Sequence, residues 1–96
     1  MTPLYKNQSV ELRIETNNAT LGSAIVTRIL YSKPGEPRIE GYWTATVSGT
    51  ELRYTTDAND LDRLGEWWFQ PYAEYTGGLL KFGSPLIKQR VEDPLL

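Results

Sequence analysis

Apolar and polar residues alternate along most of this chain, and turn-forming residues interrupt the alternation about every eight to twelve positions. In the stretch SVELRIET, Val10, Leu12 and Ile14 occupy one parity and charged residues occupy the other. Successive side chains of a strand point to opposite faces, so this period of two predicts half-buried strands. The whole pattern predicts an all-β sandwich of six or seven antiparallel strands, with no helix longer than one turn.

Other stretches have the same composition and are bounded by turn signals. Strands are predicted at 23–32, 39–47, 51–56 and 66–75, and 79–92 is either one kinked strand or two short ones. The residues expected to face the core are Ile25, Ile29, Tyr31, Trp43, Ala45, Val47, Leu52 and Tyr54. Val26 and Leu30 lie on the other face of 23–32, so that strand could be covered on both sides. Turns are predicted at Pro34–Gly35, Ser48–Gly49 and Gly77–Gly78, where glycine accepts a positive φ.

The segment EWWFQPYAEY contains the densest group of aromatic residues. One parity is apolar and is expected to face the core; it comprises Trp67, Phe69, Ala73 and Tyr75. The other parity mixes aromatic and polar residues and is expected to face solvent or a partner; it comprises Trp68, Gln70, Tyr72 and Glu74. Pro71 cannot donate to a ladder, and a bulge there would reverse the parity of the residues that follow it. The orientation of Tyr72 therefore stays open.

The composition bounds the class of protein. The chain has 96 residues, 40% of them hydrophobic, enough for one domain, which we place at residues 8–92 between an arm at 1–7 and a tail at 93–96. The net charge is −2 and the charges are scattered, which argues against nucleic acid as a partner. No stretch is apolar enough for a signal peptide or a bilayer span. We therefore expect an unprocessed soluble protein.

The absence of cysteine and histidine excludes whole classes of chemistry. Disulfides, thiolate nucleophiles, tetrahedral zinc sites and imidazole acid–base catalysis all need those residues. Glu40, Glu66 and Glu74 lie beside aromatic residues, but on strands they occupy solvent faces. We therefore expect neither an enzyme nor a cofactor.

One acidic turn is the candidate metal site. It contains Asp57, Asn59, Asp60 and Asp62. Oxygen ligands suit calcium, but the spacing places Asp62 where an EF-hand needs glycine and Trp68 where it needs glutamate. Capping of one helical turn explains these residues at least as well, with Gly65 as its exit.

Outward aromatic residues are the main binding candidates. Tyr42, Trp68 and Tyr72, with Gln70 between them, are expected to form a partner-binding surface, because aromatic rings dominate interfaces. The alternative is simple cross-strand packing. Apolar residues near the two ends are a second candidate, since they could add to the sheet edge of a neighbouring subunit, although simple fraying is the alternative. They are Leu4, Tyr5, Leu95 and Leu96.

Several of these features together resemble a known family. The stretch DLDRLGEWWFQ resembles the immunoglobulin-like corner in which Asp, Gly and an aromatic residue lead into a strand, here Asp62, Gly65 and Trp67. Trp43 is placed where immunoglobulin-like domains bury a tryptophan between their sheets. The wider order is similar to small immunoglobulin-like proteins of tailed bacteriophages, with a Tyr-x-Lys-Pro-Gly turn followed by a W-x-A-x-V strand. Its matching positions are Tyr31, Lys33, Pro34, Gly35, Trp43, Ala45 and Val47.

The resemblance implies a fold and a role. The fold would be an immunoglobulin-like β-sandwich without a disulfide. The role would be a non-enzymatic structural component of a virion, in the tail, baseplate, fibre or capsid surface, assembled in the host cytoplasm. Its partners would be other virion proteins, present in multiple symmetric copies. The alternative is a recognition module that binds host-surface carbohydrate through the same aromatic residues.

Overall fold

The computed structural model describes residues 4–78, 80–82 and 86–93, with side chains described outside 80–82. These residues form an all-β structure in which the only helical element described is a short 3-10 turn at Leu21–Ser23. The strands are β1 (Leu4–Tyr5), β2 (Glu11–Glu15), β3 (Val26–Lys33), β4 (Ile39–Thr44), β5 (Thr46–Ser48), β6 (Glu51–Thr55), β7 (Gly65–Glu74), β8 (Leu80–Phe82) and β9 (Ile87–Glu92).

The strands form two sheets. The larger sheet has the order β1-β9-β7-β3-β4, with β8 also paired to β7, and the smaller sheet has the order β2-β6-β5. Every pair is antiparallel except β1 with β9, which is parallel. The prediction of six or seven antiparallel strands was therefore wrong in number and in one pairing. The all-β class, the presence of two sheets and the absence of a disulfide are as predicted.

Both sheets contribute to one core. Its most completely buried apolar side chains include Ile29 and Trp67 from the larger sheet and Leu52 from the smaller one. Trp43 of β4 stacks on Tyr54 of β6, with ring centroids 4.9 Å apart, and so joins the sheets directly. Offset aromatic pairs of this kind add to the free energy gained by burying the rings.

Strand β7 confirms the predicted parity of the aromatic segment. Trp67, Phe69, Ala73 and Tyr75 are all buried, at 0, 3, 4 and 8% exposure. Pro71 keeps the register, because it lies opposite Ile29 while the next residue, Tyr72, lies opposite Arg28. On the other side of β7, the pairing with β9 reaches Phe69 and the pairing with β8 begins at Tyr72. Pro71, which has no N–H to donate, therefore lies beside the break between β9 and β8. Because the register continues through it, Tyr72 points outward.

Two inward assignments were wrong. The predicted strand 39–47 is divided at Ala45, where the chain passes from the larger sheet to the smaller one. Val47 then lies on the edge strand β5 and is 38% exposed. Ile25 precedes β3 and is 64% exposed. Period-two parity holds only within one strand, so it fails where the chain changes sheet or has not yet joined one.

The predicted connections are otherwise close to those observed. The described residues of segment 79–92 form two strands, one of the two alternatives. Ser48 pairs with Glu51, so Gly49 and Thr50 form the hairpin loop, one residue beyond the predicted position. Residues 77–78 lie in the hairpin between β7 and β8.

Leu4 and Tyr5 belong to the larger sheet, although the prediction placed them in an arm outside the domain. Leu4 and Tyr5 form β1 and pair with Val91 and Glu92. Leu4 is 8% exposed and packs in the core, and Tyr5 is half-buried. The predicted tail residues Leu95 and Leu96 lie outside the described residues.

Candidate functional site

The outer face of the larger sheet brings the predicted aromatic residues together. Strand register places Leu30 between Tyr42 and Gln70, and Arg28 between Thr44 and Tyr72. A third row runs from Glu40 through Ser32 and Trp68 to Lys88. We define the outer face as Arg28, Leu30, Ser32, Glu40, Tyr42, Trp68, Gln70, Tyr72 and Lys88, together with Arg38, which reaches over it.

Arg38 covers one face of Trp68. Its guanidinium carbon lies 3.8 Å from the centroid of the Trp68 ring. The guanidinium donates to the hydroxyl and the carbonyl of Ser32, each at 2.8 Å, and to the carbonyl of Glu66 at 2.7 Å. The Trp68 indole N–H donates to the Glu66 carboxylate at 2.8 Å. These bonds hold both side chains in place before any partner arrives.

The Arg28 guanidinium lies against two tyrosine rings in a similar way. Its guanidinium carbon lies 4.1 Å from the ring centroid of Tyr42 and 5.7 Å from that of Tyr72. The Tyr72 hydroxyl donates to the Glu74 carboxylate at 2.9 Å, and this bond, with a smaller effect of burial, raises the pKa of Tyr72. A donor hydrogen-bonded to a carboxylate loses its proton less readily, which favours the neutral hydroxyl.

A shallow depression lies beside Trp68. Its volume is about 250 Å³, and its lining residues are Leu30, Tyr31, Ser32, Glu40, Trp68, Gln70 and Leu86. Small-molecule pockets usually occupy roughly 300–1,000 Å³, so this depression is small for that purpose. At its margins, Tyr42 is 52% exposed and Leu86 is 44% exposed. The face thus combines a modest hollow with protruding apolar groups.

Charges on and around the outer face are mixed. Arg28, Arg38 and Lys88 are cationic, and Lys88 Nζ lies 5.7 Å from the Trp68 ring centroid. Carboxylates at Glu40, Glu66 and Glu74 lie on the same side of the sheet by register. Side-chain cations lie over the aromatic rings, and charges of both signs are present on this face. This combination suits a partner that offers carboxylates and apolar groups together, rather than a polyanion.

The acidic turn is organised by its own hydrogen bonds. The Asp57 carboxylate accepts from the Asn59 N–H at 2.8 Å, and the Asp60 carboxylate accepts from the Asp57 N–H at 2.9 Å. The Tyr54 hydroxyl donates to Asp60 at 2.7 Å. Burial first, and then this bond, raise the pKa of Tyr54 to about 12.

Asp62, the fourth residue of the acidic turn, points elsewhere and pairs with Lys33 at 3.0 Å. The carboxylates of Asp57 and Asp60 therefore stabilise a non-helical turn, in place of the helical turn that they were predicted to cap. The described part of the chain contains no cluster of metal-ligating side chains.

The sequence identified part of this site. Tyr42, Trp68, Gln70 and Tyr72 share the outer face, whereas Leu4 and Tyr5 lie in β1 at the far edge of the sheet. Arg28 and Arg38 were not among the residues predicted for this site. Arg28 was detectable, because its parity in the strand matches that of Leu30. Arg38 was not, because it precedes β4 and reaches Trp68 only through tertiary structure.

Comparisons of the chain with protein-family models, curated proteins and solved structures find no match. Within the described ranges, no helix has the length and apolar character needed to cross a membrane. The geometry of the outer face is therefore the basis for assigning a function.

Proposed function

We propose that this chain is a non-enzymatic binding domain that contacts other proteins through its outer face. One observation carries the proposal: Trp68 and Tyr42 lie on one sheet face, each with an arginine guanidinium against its ring. Trp, Tyr and Arg are the residue types most enriched in interface hot spots. Hydrogen bonds of Arg38 and Trp68 fix these two side chains in advance, which lowers the entropy lost on binding.

The carbohydrate alternative has less support. A sugar ring stacks on an open aromatic face, and Arg38 covers one face of Trp68. Glu74 is a polar group beside these aromatic residues, but its carboxylate already accepts a hydrogen bond from Tyr72. Gln70 does line the depression beside Trp68, so we keep carbohydrate binding as an outcome of the experiment below.

We also propose an immunoglobulin-like arrangement of the two sheets. In variable-type domains one sheet has the neighbouring strands C′, C, F and G, and the other contains B, E and D. The orders β4-β3-β7-β9 and β2-β6-β5 support that correspondence. Trp43 departs from it, because it lies on β4, whereas antibody domains carry their core tryptophan on strand C.

The corner before β7 supports the same correspondence. Trp67 Nε1 donates to the carbonyl of Arg63, four residues upstream, at 2.9 Å. The tyrosine corner of immunoglobulin-like domains makes an equivalent bond from the start of strand F. Gly65 has a φ of 121° and a Cβ there would lie 3.1 Å from Pro34, so glycine is required at this turn.

The setting that we propose is the virion of a tailed bacteriophage. The resemblance of the sequence to immunoglobulin-like phage proteins supports it. In a particle with many symmetric copies, a face of modest area gains strength from avidity. The partners would be other virion proteins that contact the outer face.

The test has two steps. Mass spectrometry of purified virions from the source should detect the chain, and its absence would refute the virion setting.

The second step tests the interface. A photo-crosslinking amino acid at position 42, on the outer face, should join the chain to another virion protein. The same label at position 48, on exposed β5 of the smaller sheet, is the matched control. Equal crosslinking from both positions would refute the outer face as the interface. Binding of the purified chain to a glycan array, lost in Trp68→Ala, would favour carbohydrate instead.

A further inference from the structure

Strand β2 presents a free edge. It ends the smaller sheet, and no strand among the described residues pairs with its second side. The Val10 carbonyl accepts from the Thr56 N–H and the Thr16 N–H donates to the Thr50 carbonyl, so even-numbered residues bond to β6. In an antiparallel ladder the residues between them point the opposite way. Glu11, Arg13 and Glu15 therefore direct their N–H and C=O groups towards the free edge.

An apolar cleft lies on the core side of this edge. It has a volume of about 280 Å³ between the two sheets. Its apolar lining residues are Leu4, Val10, Leu12, Ile14, Phe69 and Ile87. An added strand would therefore find unpaired backbone groups at the edge and apolar side chains beneath it, the two elements of β-strand addition.

We propose that β2 pairs, antiparallel, with β2 of a second copy of this chain. The charge pattern of the strand carries the inference. When Leu12 lies opposite the partner's Leu12, Glu11 lies opposite the partner's Arg13, and Arg13 lies opposite the partner's Glu11. On the core side, Val10 lies opposite the partner's Ile14. Opposite charges and apolar pairs directly across a ladder are both stabilising.

Backbone geometry agrees with this register. The facing residues Glu11 and Arg13 are those that direct their backbone groups to the free edge. They therefore form two hydrogen-bonded pairs, each of which exchanges two bonds. The two Leu12 side chains then meet at the mouth of the cleft. The result is one continuous sheet across the two copies. The strand order β5-β6-β2 of one copy continues as β2-β6-β5 of the other.

Neighbouring registers are less favourable. A shift one way places Arg13 opposite the partner's Arg13, and a shift the other way places Glu11 opposite the partner's Glu11. Like charges directly opposite each other are destabilising. A third register pairs Arg13 with the partner's Glu15, but β2 ends there and Asn17 turns away with a φ of 54°. That pairing covers only residues 13–15, whereas the proposed one covers 9–15.

Charged edge residues commonly protect a sheet from pairing, and here they select one partner. Glu11 and Arg13 contact each other within one chain, and both are exposed on the outward side. Pairing with a second copy replaces that contact by two contacts across the interface. An unrelated strand without the complementary pattern would leave these charges unmatched.

Light scattering after size exclusion tests the proposal with charge-reversed variants. The wild type should have twice the 10.9 kDa mass of one chain. Glu11→Arg and Arg13→Glu should each weaken dimerisation by about tenfold or more, because both cross-strand pairs become repulsive. An equimolar mixture of the two variants should form heterodimers, since the opposite charges face each other again. The double variant Glu11→Arg/Arg13→Glu should dimerise like the wild type.

Two controls separate this interface from others. Residue 15 lies opposite the partner's Ser9 in the proposed register, so Glu15→Arg should leave the dimer intact. Trp68→Ala should also leave it intact, because the outer face is on the other sheet. Circular dichroism checks that each variant is folded. A monomeric wild type at its highest soluble concentration would overturn the proposal, and so would a dimer that Arg13→Glu does not weaken.

Discussion

The Arg38 guanidinium lies over the Trp68 ring at 3.8 Å, while the adjacent Trp67 is completely buried on the opposite side of the same strand. The two neighbouring tryptophans therefore have different roles. Trp67 joins the core and bonds to the Arg63 carbonyl at the entry to β7. Trp68 carries a fixed cation on the face that we propose binds other proteins.

Trp67→Ala should lower the free energy of unfolding by about 3–5 kcal/mol, as large core truncations do. The variant removes the indole from the aromatic cluster and also removes its bond to Arg63. Urea denaturation at constant temperature measures the loss. A loss below about 1 kcal/mol would contradict the central position of this side chain.

Trp68→Ala is the matched comparison on the next residue. It removes the cation–π contacts with Arg38 and Lys88 and one exposed hydrogen bond, so the free energy of unfolding should fall by only about 1 kcal/mol. The same denaturation experiment applies. A loss as large as that of Trp67→Ala would show that Trp68 holds the fold together and would weaken its assignment to the binding face.

Arg38→Ala should expose the Trp68 ring to solvent. Trp43 and Trp67 are buried, so acrylamide quenching of tryptophan fluorescence reports mainly on Trp68, and it should increase in the variant. Stability should fall by about 1–2 kcal/mol through the lost hydrogen bonds and cation–π contact. Arg28→Ala is the control, because Arg28 lies against tyrosines. Equal quenching in the two variants would argue against the covering role of Arg38.

Gly41→Ala should destabilise the protein by about 1–3 kcal/mol, as overpacking does. A Cβ at Gly41 would lie 2.5 Å from the Tyr31 hydroxyl oxygen and 2.7 Å from its ring carbon Cζ. Tyr31 is the cross-strand partner of Gly41 and contacts the Trp43 ring. Gly22→Ala is the control, since a Cβ there meets no atom within 4 Å. Thermal denaturation of both variants should separate them, and equal midpoints would contradict the close approach.

Tyr54 should make stability depend on alkaline pH. Its pKa rises from 10.0 to about 12 in the folded state, so folding favours the protonated hydroxyl. This contribution is complete below pH 10 and is lost as the pH rises towards 12, because the unfolded chain releases that proton first. Urea denaturation across this range should show a steeper decline for the wild type than for Tyr54→Phe. Parallel declines would contradict the raised pKa.

The sequence by itself determined which residues share a face where a predicted strand stays within one sheet. In β7 the parity of Trp67, Phe69 and Trp68 could be predicted because it depends only on the alternation of successive side chains. The same local rule placed Leu12 and Ile14 towards the core and Tyr42 outward. The all-β class follows from the same alternation together with the turn residues.

Tertiary structure decided which strands become neighbours. The chain changes sheet at Ala45, β1 joins β9 in parallel, and Pro71 is accommodated without a bulge because β9 and β8 leave a break beside it. Arg38 reaches Trp68 from a loop for the same reason. Each of these relationships joins residues far apart in the chain, and the free energy of such pairing depends on packing across the whole core, which no local period records.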